Sequence, residues 1–309
     1  MEEKIEKRVL LAVDDSTHAL KAAEYIARIF KEDEYFNVNL IHVMPPLPPI
    51  IFETHDDIEF KRWQMTYRPK LEKKYKEKAN SILEKVITFL KGLGWPDERF
   101  EKIALSGRSG PAPDLLFYAE QGLFDALVLG RRGISKWEKI IVGSVTDKII
   151  HAEKTIPIWI VVEPVPSKKV LIAIDGSENA LRAADHVGFI FSGRNDIEII
   201  LIHIIKINFI GEIYPEKWQK AVEKVAISFI EKAKTMLIKA GFSEKNVKTV
   251  IKTTTKDIAK EILEYQEKEN IGTIAMGRRG ISRLKSFFLG SVSNKVLNMI
   301  EKGAVWVVD

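Results

Sequence analysis

A glycine pattern that occurs twice in the sequence could bind phosphate. In each occurrence a glycine follows an apolar run, a second glycine comes three residues later, and a Gly-Ser pair stands after nine more residues. The residues are Gly130, Gly133 and Gly143-Ser144, and then Gly277, Gly280 and Gly290-Ser291. Glycines allow backbone to approach a phosphate closely, and the amides at a helix start point at its oxygens. The pattern predicts phosphate binding, with turns and helix caps as the alternative interpretation.

Polar side chains beside these glycines could add contacts to a phosphate. The hydroxyl residues at the two Gly-Ser pairs are Ser144 and Thr146, and Ser291 and Ser293. The pairs Arg131-Arg132 and Arg278-Arg279 stand between the first two glycines of each pattern. Because a guanidinium suits phosphate recognition, these arginines could reach a triphosphate. Solvated surface arginines are the alternative.

An aspartate ends the first apolar run of each half of the chain. These residues, Asp14 and Asp175, could bond a ribose hydroxyl or the adenine edge, or hold Mg²⁺. The alternative is a hydrogen bond to backbone amides of the strand-to-helix turn. At the end of the second run, the backbone of His42-Val43 and of His203-Ile204 could read a base. The two histidines themselves are interpreted as structural residues at the strand ends.

The chain contains an internal repeat. Residues 8–24 and 169–185 agree at nine of 17 positions with an offset of 161, and residues 130–149 and 277–296 agree at ten of 20 with an offset of 147. The offset falls by 14, so the first copy carries an insertion, which we assign to the proline-rich residues 45–60. We therefore predict a first domain over 1–163, a linker over 164–168 and a second domain over 169–309.

Apolar runs alternate with helical patterns in both copies. The predicted strands are Val9–Val13, Val38–Met44, Lys102–Leu105, Ala126–Leu129 and Pro157–Val162, and then Val170–Ile174, Ile197–Ile205, Val247–Ile251, Thr273–Met276 and Val305–Val308. The predicted helices include one capped by Ser16, one after Gly143, and the charged helices 61–91 and 216–239, which we interpret as solvated faces. This alternation predicts an α/β fold, two open parallel sheets with helices on both faces. Ligands of such sheets bind at the carboxyl ends of the strands.

The glycine pattern after a strand, together with an aspartate that ends the first strand, resembles the universal stress protein family in its ATP-binding branch. The resemblance covers nearly the whole chain twice. It implies five parallel strands in the order 3-2-1-4-5, with ATP, ADP or AMP held between the ends of the first and fourth strands. In the first copy it implies contacts from Ala12, Val13, Asp14, Val43, Gly130, Gly133, Gly143, Ser144, Val145 and Thr146. In the second copy it implies contacts from Ala173, Ile174, Asp175, Ile204, Gly277, Gly280, Gly290, Ser291, Val292 and Ser293.

The second copy departs from this family pattern after its third strand. The family has a glycine near the ligand there, and the first copy has Gly107 and Gly110, whereas the second has Thr254-Thr255-Lys256. The family also pairs its last strands antiparallel between domains. We therefore expect Ile158–Val161 to pair with Val305–Val308 within the chain, and a homodimer of such chains.

Composition and missing motifs narrow the function. The chain has a net charge of +5, no cysteine and no run of 18 apolar residues, and its first residues lack an apolar signal core. No P-loop motif occurs. We expect a cytoplasmic protein whose partner is an adenine nucleotide and which binds neither a membrane nor nucleic acid. We expect no catalytic residue, and Mg²⁺ only beside a bound nucleotide. A stress-response nucleotide sensor is the first hypothesis; a slow ATPase or nucleotide-transferring enzyme and a scaffold with degenerate sites are the alternatives.

Overall fold

The computed structural model describes residues 5–54, 56–131, 144–153, 155–207, 216–280 and 289–309, with the backbone alone for 216–219. By packing, the chain forms two compact units, Met1–Gly130 and Arg131–Asp309. This division rests on contacts, whereas the predicted domains 1–163 and 169–309 rest on the sequence repeat and stay a prediction.

The first unit is a parallel sheet of four strands with helices between them. Its elements are β1 (Lys7–Ala12), α1 (Thr17–Phe30), β2 (Phe36–Met44), α2 (Ile58–Gly92), β3 (Phe100–Ser106), α3 (Pro111–Gln121) and β4 (Ala126–Gly130). The strands lie in the order β3-β2-β1-β4, and each neighbouring pair is parallel. This is the predicted order 3-2-1-4.

The second unit contains a complete five-stranded copy and one further strand. Its elements are α4 (Ser144–His151), β5 (Ile158–Glu163), β6 (Lys169–Ala173), α5 (Glu178–Ile190), β7 (Glu198–Lys206), α6 (Glu216–Lys239), β8 (Val247–Thr254), α7 (Ile258–Lys268), β9 (Thr273–Gly277), α8 (Ser291–Met299) and β10 (Gly303–Val308). The strands lie in the order β5-β10-β9-β6-β7-β8. The five strands from β10 to β8 are parallel and confirm the order 3-2-1-4-5 for the second copy.

Burial explains why the strands could be recognised as apolar runs. In β1 the side chains of Val9, Leu10 and Leu11 are all fully buried, because helices cover both faces of a parallel sheet. The helices begin at side-chain caps, such as Ser16 at α1 and Ser177 at α5. All the predicted strands are present, with shifts of a few residues at their ends.

The last residues of the proline-rich stretch 45–60 are already helical. A short 3₁₀ turn covers Pro49–Ile51, and α2 already begins at Ile58. The reason is Asp57, whose carboxylate accepts hydrogen bonds from the amides of Glu59 and Phe60 and so caps the helix.

Strand β5 pairs antiparallel with β10, which confirms the predicted pairing of the last strands. Trp159 and Trp306 are direct partners in this ladder, and their rings stack with centroids 3.9 Å apart. His186 of α5 packs edge-on against both rings and accepts a hydrogen bond from Trp159 Nε1 at its Nε2, over 3.0 Å. The pairing therefore has an aromatic core as well as backbone hydrogen bonds.

Candidate functional site

A cavity of about 180 Å³ opens at the carboxyl ends of β6, β7 and β9 in the second unit. It lies where the strand order reverses, between the first and fourth strands of the second copy. Ten of the eleven residues predicted for this copy line it, namely Ala173, Ile174, Asp175, Ile204, Gly277, Gly280, Gly290, Ser291, Val292 and Ser293. The sequence thus indicated residues that the fold brings together, although they are spread over more than 100 positions.

The two carboxylate oxygens of Asp175 have different neighbours. Its Oδ1 accepts a hydrogen bond of 2.9 Å from the backbone amide of Ser177, as the turn interpretation predicts. Its Oδ2 faces Gly280, where a Cβ atom would collide with it. One oxygen therefore holds the turn, and the other is directed at the cavity wall opposite, where it could accept a further hydrogen bond.

Helix α8 presents its first turn to the cavity without a side-chain cap. Gly290 occupies the N-cap position, and no described side chain accepts from the first amides of the helix. By contrast, Ser177 and Asp257 cap α5 and α7. The uncapped amides and the positive end of the helix dipole favour an anion at this end of the cavity.

The hydroxyl residues at the start of α8 differ in what they can donate. Ser291 is exposed and lines the cavity. Ser293 is buried, and its Oγ donates a 2.8 Å hydrogen bond to the carbonyl of Gly277. The expected role of Ser293 as a hydroxyl donor to a phosphate is therefore corrected, because its proton is used within the protein.

The rest of the cavity wall is largely apolar. His203 and Arg279, which the sequence had indicated, lie in it, whereas the lining residues that were missed in the sequence are Ser177, Ala180, Ile202, Ile258, Ile262 and Met276. Ile258 and Ile262 lie one turn apart at the start of α7, next to residues of β7. Their only signal in the sequence is an i, i+4 apolar pair, which every core helix shows.

The two strand-end histidines make equivalent hydrogen bonds. Nδ1 of His203 lies 2.6 Å from the carbonyl oxygen of Ile174, and Nδ1 of His42 lies 2.8 Å from that of Val13. Because a carbonyl only accepts, Nδ1 carries the proton in each ring. The structural interpretation of both histidines is confirmed, and His203 in addition contributes to the cavity wall.

The glycines of the pattern are needed for contacts within the protein. A Cβ on Gly277 would meet the backbone of Asn179 and Ala180 at 2.7 Å, and a Cβ on Gly130 would collide with the carbonyl of His18. A Cβ on Gly290 would lie 3.1 Å from the carbonyl oxygen of Arg278. Close packing of strand against helix thus accounts for the first glycine in both copies, without any ligand.

Arg278 has a structural role, which corrects the expectation that it contacts a nucleotide. Its side chain is fully buried and does not line the cavity. Nη1 donates to Asp309 over 2.8 Å, and Nη2 donates to the carbonyl of Ala152 over 2.6 Å. The exposed neighbour Arg279 lines the cavity instead.

Arg131 is also buried rather than solvated at the surface. Its side chain is 3% exposed, and burial lowers the pKa of its guanidinium. Its backbone amide donates a 2.7 Å hydrogen bond to the carbonyl of Val161. Among the described residues, Nε and Nη1 of Arg131 have no hydrogen-bond partner, whereas Arg278 is bonded by Asp309 and by the carbonyl of Ala152.

The residues predicted for the first copy are divided between the two units. Ala12, Val13, Asp14, Val43 and Gly130 belong to the first unit, whereas Arg131, Ser144, Val145 and Thr146 belong to the second. Gly133 and Gly143 lie outside the described residues. In the first unit, Asp14 Oδ1 accepts from the amide and the hydroxyl of Ser16, so the turn interpretation holds for this oxygen too.

The loop after the third strand is stabilised differently in the two copies. In the first, the carboxylate of Asp114 accepts hydrogen bonds from three successive amides, those of Arg108, Ser109 and Gly110, over 2.8 to 3.2 Å. In the second, buried Glu261 is bonded by Lys252 and Thr254, and the Lys252 hydrogen bond lowers the pKa of its carboxyl. In the second copy, hydrogen bonds between side chains thus stabilise this loop in place of the turn that contains glycines in the first copy.

An ion pair joins α7 and α8 beside the cavity. Lys295 donates to Asp257 Oδ2, while Asp257 Oδ1 caps α7 through the amide of Ala259 over 3.0 Å. The bond from Lys295 lowers the pKa of Asp257. Ile258 and Ser293, each within two residues of this pair, line the cavity.

Neither a resident metal site nor a membrane-spanning helix is found in the described part of the chain. Within it, no group of three or more acidic or histidine side chains converges, and no helix is long and apolar enough to cross a membrane. Oδ2 of Asp175 is a suitable oxygen ligand for Mg²⁺, but it is a single ligand. A bound Mg²⁺ would therefore depend on phosphate oxygens.

Comparison with known proteins agrees with this architecture. A model of the universal stress protein family matches residues 6–161 and 166–308. The chain is 30% identical over 139 residues to universal stress protein YxiE of Bacillus subtilis, covering 41% of this chain and 90% of that protein. It is 30% identical over 131 residues to universal stress protein MJ0531 of Methanocaldococcus jannaschii, covering 42% of this chain and 75% of that protein. A universal stress protein structure from Archaeoglobus fulgidus shares the fold over 98% of both chains, with a TM-score of 0.63 and 23% identity.

Proposed function

Because the chain belongs to the universal stress protein family, we propose that the cavity of its second unit binds an adenine nucleotide, and that the protein serves as a nucleotide sensor in a stress response. One observation carries the proposal. The uncapped first turn of α8 opens into a largely apolar cavity, with the carboxylate of Asp175 on its wall. An anionic group attached to a flat apolar group and a hydroxyl-bearing sugar matches these three surfaces.

Each part of a nucleotide has a place in this proposal. The base lies against Ile258 and Ile262, and the ribose hydroxyls donate to Oδ2 of Asp175. The phosphates accept from the amides of Ser291 and Val292. A volume of about 180 Å³ suits the base and the ribose, so the phosphates would extend along the start of α8 toward the opening.

The first copy is proposed as a second site because its sequence repeats the pattern. Asp14 would take the role of Asp175. Whether ATP, ADP or AMP is bound, Mg²⁺ would be held mainly by the phosphates and would approach Asp14 or Asp175. Cytoplasmic location and assembly into a homodimer are parts of the same proposal.

Binding through the α8 amides can be tested by removing one of them. Proline is tolerated at the first position of a helix, where it deletes the amide without disturbing the helix. We expect Ser291→Pro to weaken binding of ATP or AMP about 10- to 100-fold, because a hydrogen bond to a charged group contributes about 1.5–3 kcal/mol. Isothermal titration calorimetry with and without Mg²⁺ measures the affinity.

A matched control is Ile58→Pro, which places proline at the first position of α2 in the other unit. We expect it to leave the affinity unchanged. Mass spectrometry of ligand released from the freshly purified, denatured protein identifies the nucleotide that it carries. Wild-type protein that binds no adenine nucleotide in either experiment would refute the proposal.

A further inference from the structure

Arg279 stands at the edge of the cavity, between the starts of two helices. Its carbonyl accepts a 3.3 Å hydrogen bond from Oγ of Ser177, the residue that caps α5. On its other side lies Gly290, the N-cap residue of α8, because a Cβ built there would come within 3.3 Å of the Cα of Arg279. The backbone of Arg279 is therefore held next to the uncapped first turn of α8.

The side chain of Arg279, in contrast to its backbone, is available to a ligand. It is exposed and lines the cavity. Within the described part of the chain, no carboxylate forms an ion pair with its guanidinium, whereas the neighbouring Arg278 is paired with Asp309. The eight residues that follow Gly280 in the sequence contain no Asp or Glu. Among these residues, the positive charge of Arg279 thus lacks a compensating carboxylate.

Charged side chains are few on the cavity wall. Among the lining residues that the structure describes, Arg279 is the one Lys or Arg, and a single carboxylate faces it from the rest of the wall. Two lysines close in sequence to lining residues are already paired, Lys295 with Asp257 and Lys256 with Glu264. An anion at the opening of the cavity therefore meets Arg279 as its uncompensated cation.

The amides of α8 and the guanidinium of Arg279 suit different parts of a phosphate chain. The cavity of about 180 Å³ would hold the base and the ribose, and the amides at the helix start would bind the first phosphate. A second and a third phosphate would extend toward the opening, and each adds negative charge. A guanidinium can donate two parallel hydrogen bonds to phosphate oxygens and also attracts their charge. Arg279 is therefore the group that suits the added phosphates.

The residue next to the site aspartate also favours a highly charged ligand in the second copy. In the first copy this residue is Asp15, whose carboxylate pairs with Lys85 over 2.6 Å. In the second copy it is Gly176, which has no side chain. The second copy thus has one carboxylate fewer at this place, and a chain of phosphates meets less repulsion.

The lysine of that pair is retained in the second copy although the acid is lost. Residues 79–94 and 226–241 agree at seven of 16 positions, so Lys232 corresponds to Lys85. Lys232 is exposed and forms no ion pair within the described part of the chain. Phe229, three residues before it on α6, lies against Gly176, where a Cβ would come within 2.6 Å of the ring. This side of the second copy therefore carries one more positive charge than its counterpart.

We propose that Arg279 makes the cavity of the second unit selective for nucleoside diphosphates and triphosphates over monophosphates. Its guanidinium binds the phosphates that lie beyond the one at the α8 amides. The inference rests on the proposed function, because it requires a nucleotide in this cavity. It goes further in naming the class of nucleotide and the side chain that selects it.

The proposal is tested by the affinities of adenosine, AMP, ADP and ATP, measured by isothermal titration calorimetry with and without Mg²⁺. Every chain also carries Asp14→Ala, so that the second site is titrated alone. We expect Arg279→Met to weaken binding of ATP about 10- to 100-fold, because charged hydrogen bonds to phosphate are lost. Binding of AMP and adenosine should change less than about threefold. Arg279→Lys, which keeps the charge and loses the fork, should give an intermediate ratio of ATP to AMP affinity.

The matched control is Arg182→Met, which removes one exposed positive charge from α5 in the same unit and touches no cavity residue. It should leave all four affinities unchanged. An unchanged ratio of ATP to AMP affinity in Arg279→Met, with AMP still bound, would overturn the role of Arg279 and leave the proposed function intact. An equal loss for ATP and AMP would overturn the selectivity in the same way. If none of the four compounds binds to the chain with Arg279 intact, the proposed function itself fails.

Discussion

At the scale of single residues, His186 makes the stability of the second unit depend on pH. Burial lowers the pKa of its imidazole from 6.5 to about 3, and its Nε2 is already occupied by the indole N–H of Trp159. The folded state therefore keeps the ring neutral where the unfolded chain takes up a proton. Below pH 6.5 the unfolded state binds more protons, so stability must fall as the pH falls toward 3.

We expect the free energy of unfolding to decrease by about 1.4 kcal/mol per pH unit in this window on account of His186. His186→Gln should flatten the dependence by one proton, because glutamine does not titrate and can still accept from Trp159. Urea unfolding of both proteins between pH 7 and pH 4, followed by tryptophan fluorescence, measures the difference. Parallel pH profiles would show that the ring is protonated in the folded protein.

The glycines show what spacing can and cannot predict about a residue. The pattern correctly located Gly277, Gly280 and Gly290 at one cavity. The pattern could not show which neighbouring atoms leave no room for a Cβ, because packing against Ala180 and approach to a phosphate impose the same restriction. The burial of Arg278 was equally hidden, since its partner Asp309 is 31 positions away and contact arises only in the folded sheet.

At the scale of elements, the strands followed from the apolar runs and their order from the resemblance to a known family, whereas the connections near the site followed from neither. Strands buried on both faces appear as apolar runs, so β1 and β6 could be located within a residue or two. The loop after β8 could only be described as lacking a glycine. Its replacement, in which Glu261 is bonded by Lys252 and Thr254, depends on side-chain directions that sequence spacing does not fix.

The ion pair between α7 and α8 should control how quickly the cavity of the second unit exchanges its ligand. Lys295 and Asp257 connect the two helices that carry opposite walls of the cavity. We expect Lys295→Met to speed nucleotide dissociation several-fold, since the helices can then separate more readily. Stopped-flow displacement of a fluorescent adenine nucleotide gives the rate. The difference in dissociation rate between the variant and the wild type should become smaller as the pH falls toward the lowered pKa of Asp257, because the wild type then loses the ion pair as well.

A neighbouring ion pair provides the control. Lys256 pairs with Glu264 over 2.8 Å and is exposed to a similar extent as Lys295, and within the described part of the chain it makes no ion pair with α8. Lys256→Met should therefore leave the dissociation rate unchanged. If Lys295→Met and Lys256→Met release the nucleotide at equal rates, the ion pair between α7 and α8 does not control nucleotide exchange.

At the scale of the whole molecule, the repeat predicts two binding sites in one chain, with local differences between them. Asp14 and Asp175 both lie two residues after the end of a first strand, and both use Oδ1 to hold the following turn. Next to them the copies diverge: Asp15 forms an ion pair with Lys85, whereas Gly176 adopts a φ of +89° close to the ring of Phe229. Such differences affect the surroundings of the aspartate and leave the carboxylate in place.

We therefore expect calorimetry to give two nucleotides per wild-type chain, and one in each of the variants Asp14→Ala and Asp175→Ala. Loss of a charged hydrogen bond to a ribose hydroxyl weakens a site about 10- to 100-fold, which removes it from a titration performed near the wild-type dissociation constant. The double variant should bind neither nucleotide at that concentration, and circular dichroism should show that all three variants keep their secondary structure. One nucleotide per wild-type chain, with Asp14→Ala unchanged, would restrict binding to the second unit, and the equivalence suggested by the repeat would then extend to the fold alone.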